Sequence, residues 1–205
     1  MFEDTYKMIT APAEALFKDK GSRFISLAYP VKSEEEAKVI IAEVKKKYHD
    51  ATHHCYAYLI GHIGTPCTRL NDDGEPSGTA ARPIYGQILS HNLKNILVVV
   101  VRYFGGIKLG VSGLINAYKE ATREVLSATK IEEHKIKELH TVAFDYTLMN
   151  VVMQVLKNPA VNIKNNDYQD NLCIISFEVE LFKSEEVCTP LSTIYGTKIK
   201  YICTI

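Results

Sequence analysis

The strongest constraint on the fold is a run of six apolar residues, Ile96 to Val101, that ends on a charge at Arg102. All but Leu97 are β-branched. Such side chains are stiff at χ1 and favour a pleated strand over a helix. Successive strand residues point to opposite faces. An unbroken apolar run therefore needs cover on both faces of its sheet. At six residues it is far too short to cross a bilayer, which takes about 20. A buried strand thus ends on Arg102, and a glycine-rich stretch follows it from Gly105 to Gly113.

The elements around this strand are readable from local signals. Ser33 with Glu36 forms a capping box, with Glu34 and Glu35 in the positive first turn of a helix. Ala37, Ile40, Ile41 and Val44 continue it at helical spacing, and Lys45, Lys46 and Lys47 meet its negative end. Cys55 to Ile60 reads as a short strand. A polar stretch rich in Gly, Pro and Asp runs from Gly61 to Gly78. Ile84, Ile88 and Leu89 then suggest a helix, with Pro83 tolerable only in its first turn. Leu114, Ala117, Tyr118, Ala121 and Val125 mark another, with Ser112 as its expected N-cap.

Beyond this point the texture changes. Ile131 to Glu138 is charged and reads as a linker. Val142, Phe144 and Tyr146 alternate as a strand. Leu148, Val151, Val152, Val155 and Leu156 form a helix face that stops at Asn158-Pro159. Val161 and Ile163 begin a second strand, and Cys173 to Leu181 alternates as a third. Ser184 opens a short helix, and Ile199, Tyr201 and Cys203 close with a fourth strand. The order β-α-β-β-α-β is the ferredoxin-like arrangement. The expected fold class is α+β, with a two-layer α/β domain over residues 1–133 and a ferredoxin-like domain over residues 138–205.

Composition excludes several functions. Formal net charge is zero, and neither half carries the basic excess of a dedicated nucleic-acid clamp. The five cysteines, Cys55, Cys67, Cys173, Cys188 and Cys203, include no C-x-x-C pair. That argues against a zinc ribbon or a disulfide framework and for reduced thiols in a cytoplasmic protein. The N-terminus lacks the basic and apolar blocks of a signal peptide. No metal or cofactor motif is present, so none is expected.

Four stretches carry candidate site residues. Asp72, Asp73 and Glu75, followed by Ser77, place three carboxylates in a glycine-rich turn. They suit a hard cation or an ammonium group, but their spacing is not that of an EF-hand. The alternative is a solvated turn. Arg102, Tyr103, Gly105, Gly106 and Lys108 lie where a strand passes through a glycine loop into a helix, a geometry that presents backbone N–H groups to an anion. Gly105 and Gly110 have the spacing of a Walker phosphate loop, yet Val111 stands where that loop needs lysine. Here the alternative is tight helix–strand packing. His53 and His54 enter a strand and must face opposite ways, so only one can serve a given site. Lys20 and Arg23 make a basic turn before a β-prone run.

Together these pieces are far more specific than any one of them. The chain resembles the YigZ/IMPACT family. The match runs through Lys20-x-Ser22-x-Phe24-Ile25, His53-His54-Cys55, the block from Asp72 to Ala80, and Val99 to Leu114 with its Arg102-Tyr103-Phe104-Gly105-Gly106 core. Ala81 departs from the pattern, where many relatives have glycine. The resemblance implies an N-terminal domain like the second domain of a small-subunit ribosomal protein. It implies a C-terminal domain like those of translation elongation factors. Family members are described as regulators of translation or as proteins of unknown function, and the resemblance brings no catalytic residue set.

Three functions follow as expectations. The first is a translation-associated regulatory or binding protein that contacts RNA, the ribosome or a translation factor. The second is an enzyme for a small-molecule or phosphate ligand, using the acidic turn, the histidine pair and the Arg102 loop. The third is architectural, with Arg102 paired to Asp72, Asp73 or Glu75 and locking the acidic turn against the strand end.

Overall fold

The computed structural model describes residues 4–61, 64, 66–169 and 171–205. Part of the polar stretch before Cys67 therefore lies outside the described residues, as does the very start of the expected first domain. The chain is α+β and packs as two compact units. One is Tyr6–Glu133; the other is His134–Ile205 together with the N-terminal segment up to Thr5.

The larger unit is built on a five-stranded antiparallel sheet. Its strands are β2 (Ala13–Asp19), β3 (Ser22–Pro30), β4 (His53–Ile60), β5 (Cys67–Asn71) and β6 (Ile96–Tyr103), in the order β2-β3-β6-β4-β5. The apolar run is β6, the central strand. Its alternate residues feed two separate cores. Ile96, Val98 and Val100 pack with helices α2 (Ala81–Ser90) and α3 (Gly110–Ser127). Leu97, Val99 and Val101 pack with Ala37 and Val44 of helix α1 (Glu34–Lys47). Each fully buried valine contributes on the order of 1.5 kcal/mol or more. The unit therefore has three layers, not the two expected. The reason lies in β6 itself, which is apolar on both faces and would leave one of them wet in a two-layer fold.

Local signals account for most boundaries. The Glu36 N–H donates to Ser33 Oγ at 3.2 Å, and Glu36 Oε2 accepts from the Lys32 N–H at 2.7 Å, one residue before the N-cap. Two expectations fail. Helix α3 begins at Gly110, not after Ser112, because Leu109 is buried in the core and draws the chain into the helix earlier. The polar stretch also contains β5, a mostly exposed edge strand held by backbone pairing to β4, which needs no apolar side chains.

The smaller unit contains β8 (Lys137–Asp145), α4 (Met149–Leu156), β9 (Val161–Gln169), β10 (Leu172–Glu180), α5 (Ser184–Thr193) and β11 (Lys198–Thr204). Its antiparallel sheet runs β11-β8-β10-β9. Val152 and Leu156 of α4 share one core with Val187 and Leu191 of α5, so both helices cover the same face. The charged stretch read as a linker holds the boundary between the two units, which falls after Glu133, but it is not unstructured. It forms β7 (Ile131–Lys135), which pairs with β1 (Thr5–Ile9) in a two-stranded sheet. Backbone pairing makes the strand there despite the charged side chains.

Candidate functional site

Strand pairing assembles the site. Arg102 stands opposite Phe24 on β3 and opposite His53 on β4, so all three side chains share the face that carries α2 and α3. The Arg102 guanidinium lies between two aromatic rings, 5.5 Å from the Phe24 centroid and 5.6 Å from that of Phe104. Its Nη1 donates to Glu75 Oε1 at 2.6 Å. The same oxygen accepts from the Tyr118 hydroxyl at 2.8 Å. The Arg102 and Glu75 side chains are only 7% and 3% exposed, so this is a buried ion pair. Desolvation offsets much of its attraction. Arg102 Nε is buried without a partner.

The acidic turn is held from within. Asp72 Oδ2 accepts from the Gly78 N–H at 2.8 Å, and Oδ1 accepts from the N–H groups of Ala80 and Ala81 at 3.1 and 2.8 Å. It is the cap of α2, supplied from nine residues upstream. Asp73 adopts a left-handed backbone at φ +44. Its carboxylate takes the His54 N–H and Lys45 Nζ, each at 2.7 Å. Burial alone would raise the Asp73 pKa, but these hydrogen bonds and the Lys45 charge outweigh it and hold the carboxyl below its usual range.

The two histidines separate as alternation requires. His53 Nδ1 donates to the Asp73 carbonyl at 2.8 Å, with Nε2 3.9 Å from Glu75 Oε1. His54 points to the other face and donates from Nε2 to the Tyr48 carbonyl at 2.9 Å. The Cys55 thiol, next along the strand, donates to the Asp72 carbonyl at 3.0 Å, and its Sγ lies 3.3 Å from the Tyr118 hydroxyl. Burial pushes the Cys55 thiol and the Tyr118 phenol far up, so neither ionises near neutral pH.

A cavity of about 370 Å³ opens beside Arg102. Of the residues singled out from sequence, it brings together His53, Glu75, Arg102 and Lys108. The others lie outside it. Asp72 and Asp73 are engaged as described, and Ser77 is exposed. Tyr103 donates to Asp50 at 2.7 Å, with the Arg23 guanidinium over its ring at 4.8 Å. Lys20 is exposed in the β2–β3 turn. Gly106 is an exposed turn residue at φ +87. Gly105 is there for space: a Cβ on it would lie 1.9 Å from the backbone carbon of Gly21. Sequence reasoning missed Phe104, Leu109, Val111 and Leu114 in the cavity wall, and Tyr118 beneath it. Tyr118 was detectable as a phenol set among Leu114, Ala117, Ala121 and Val125 on the apolar stripe of α3.

The smaller unit holds a second polar cluster. His140 Nε2 lies 2.9 Å from Glu138 Oε2, Ser184 Oγ bonds to the same carboxylate, and Cys188 Sγ lies 3.7 Å from His140 Nδ1. Burial raises the Cys188 pKa, away from the thiolate that nucleophilic chemistry requires. Among the described residues no group of three or more His, Cys, Asp or Glu is arranged to hold a metal ion, and no helix is long and apolar enough to cross a membrane.

A family model described as the Impact N-terminal domain matches residues 20–126, a span that contains the acidic turn, Arg102 and the cavity. The chain belongs to the IMPACT family. It is 38% identical to the IMPACT family member YvyE of Bacillus subtilis over 167 residues, which is 80% of this chain and 74% of that protein. It is 31% identical to the IMPACT family member YigZ of Escherichia coli over 81% of this chain and 82% of that one. The human Protein IMPACT is 36% identical over 99 residues, 45% of this chain and 29% of that protein. A crystal structure described as that of a hypothetical protein superposes with a TM-score of 0.74 at 27% identity, covering 98% of this chain and 99% of that one.

Proposed function

We propose that this IMPACT family chain is a cytoplasmic binding protein in translation-linked regulation, with an acidic turn that serves the fold. One observation carries the second half of that reading. Each carboxylate of the turn is engaged by protein donors: Asp72 by three backbone N–H groups, Asp73 by Lys45 and the His54 N–H, Glu75 by Arg102 and Tyr118. The translation link rests on the family resemblance. The β11-β8-β10-β9 order, with both helices on one face, supports a ferredoxin-like second domain of the kind found in elongation factors. That support is one of fold and not of site.

The partner surface is read as protein more than RNA, since the chain has no net positive charge. Co-sedimentation of the full chain with ribosomes across a salt series tests this. Retention that changes little with salt supports contact through protein surfaces. A steep loss with rising salt would shift the reading to RNA phosphates. Absence from the ribosomal pellet at every salt concentration would remove both.

A further inference from the structure

We propose that the apolar surface from Phe104 to Ile115 docks an acidic segment of another protein. That segment sets an apolar side chain in the cavity and turns its carboxylates toward Lys108. The inference rests on the reading of this chain as a protein-binding module and gives that reading a surface.

The surface is apolar where the fold has no use for it. Phe104, Ile107, Val111 and Ile115 are large apolar side chains within twelve residues, each between 40% and 60% exposed. Phe104 and Val111 line the cavity with the buried Leu109 and Leu114. Val111 and Ile115 are four apart on α3 and share one face of it. Glu75 and Arg102 close on each other in the wall, so what the cavity shows to solvent is almost wholly apolar. A single exposed apolar residue is ordinary, but a contiguous patch over a cavity marks an interaction site. A volume of about 370 Å³ is at the small end for ligand pockets and suits one anchoring side chain.

The rim sets the sign of the partner. Lys108 is the only charged residue between Arg102 and Lys119, and it is exposed at the cavity. The β2–β3 turn packs against the same loop: the Gly105 N–H donates to Ser22 Oγ at 3.2 Å, and Gly21 abuts Gly105. That turn adds exposed Lys18, Lys20 and Arg23 against the single carboxylate of Asp19. Asp50, near Arg23, already accepts from the Tyr103 hydroxyl. The rim is therefore net positive, and a carboxylate-bearing partner complements it. A symmetric pair of these chains would bring the positive rim onto itself. Nucleic acid fits less well, because Ile107, Val111 and Ile115 offer no ring on which a base can stack.

The test titrates the ¹⁵N-labelled full chain with acetyl-Asp-Phe-Leu-Glu-amide, acetyl-Lys-Phe-Leu-Lys-amide, acetyl-Asp-Gly-Gly-Glu-amide and oligouridylate. Saturable shifts at the Ile107, Val111 and Ile115 amides are expected with the first, which should bind the tightest of the four. Lys108→Ala should weaken that peptide about two- to fivefold and leave the lysine peptide no weaker. Ile107→Ser should weaken both peptides that carry Phe-Leu. The proposal is overturned if no saturable shifts appear, if they are confined to other residues, or if the lysine or glycine peptide binds as tightly as the first. Oligouridylate binding more tightly at the same amides would replace the protein partner with RNA. Ribosome co-sedimentation separates this surface from the translation reading. Ribosome binding by an Ile107→Ser chain equal to the parent's, with no peptide bound by the parent, removes the surface alone. Peptide binding by a parent chain absent from the ribosomal pellet removes the translation reading alone.

Discussion

The acidic turn and the glycine-rich loop flank the same buried Arg102, yet they are opposites in hydrogen bonding. The turn is saturated. Asp72 caps α2, Asp73 ties the turn to β4 and α1, and Glu75 closes on Arg102. The loop is not: α3 starts without a side-chain cap, and Arg102 Nε has no partner. Two helix starts some 30 residues apart thus have different fates. One is closed by a carboxylate from its own chain, and the other faces a cavity. A dense cluster of charge can therefore be spent entirely on the fold.

The largest effects should come where the two regions meet. Glu75→Ala or Arg102→Ala leaves the other charge buried and unpaired, and should cost about 3–5 kcal/mol of stability. The double variant Arg102→Met with Glu75→Leu should recover most of that loss, measured by urea unfolding. Failure to recover would mean that the pair does more than satisfy itself. Next comes Asp72→Ala, which strips three backbone N–H groups of their acceptor. A loss of about 2–3 kcal/mol is expected from the missing cap and the orphaned donors. An Asp72→Ala chain that melts like the parent would break the claim that the turn is architectural.

How far the sequence shows this contrast depends on the kind of interaction. The β6 run dictates a doubly covered central strand because period-two alternation is a local property. It also contradicts a two-layer domain, and the structure sides with the run. The opposite facing of His53 and His54 follows from the same alternation. Asp72 is different. Its spacing to Gly78, Ala80 and Ala81 suits a cation ligand as well as a helix cap, and only the folded turn decides between them. The Arg102–Glu75 pair joins residues 27 apart, and Tyr118 joins from 16 further on; no local pattern links the three. Ile131 to Glu138 reads as a linker because its side chains are charged, while the strand pairing of Ile131–Lys135 lies in the backbone.

Asp73 gives a smaller effect with a clear sign. Its folded pKa lies below the ordinary 3.8. The stability it contributes is therefore fully present above about pH 4 and is lost as pH falls through the lowered folded value. Asp73→Asn should flatten the acid limb of the stability curve below pH 4 and leave stability at pH 7 only modestly reduced. Thermal melts of both chains between pH 2 and 7 measure this. An unchanged acid limb would assign acid unfolding to other carboxylates. Glu34 and Glu178 also lie below their usual range: the first mainly through hydrogen bonds from Cys67 and Tyr58, the second through Lys164 and Asn162 against an opposing burial effect.

The smallest expected effect carries the most weight for the comparison. Lys108 and Val111 belong to the unsaturated side, and both are exposed where they line the cavity. Exposed side chains away from caps and buried pairs contribute little to folding. Lys108→Ala and Val111→Phe should therefore leave the melting temperature where it was. A clear drop in melting temperature for Lys108→Ala would place that lysine among the structural charges, alongside Asp72 and Glu75. The two regions would then differ in degree and not in kind. An unchanged melting temperature would separate them cleanly, because only a group that the fold does not use can be removed without cost to it.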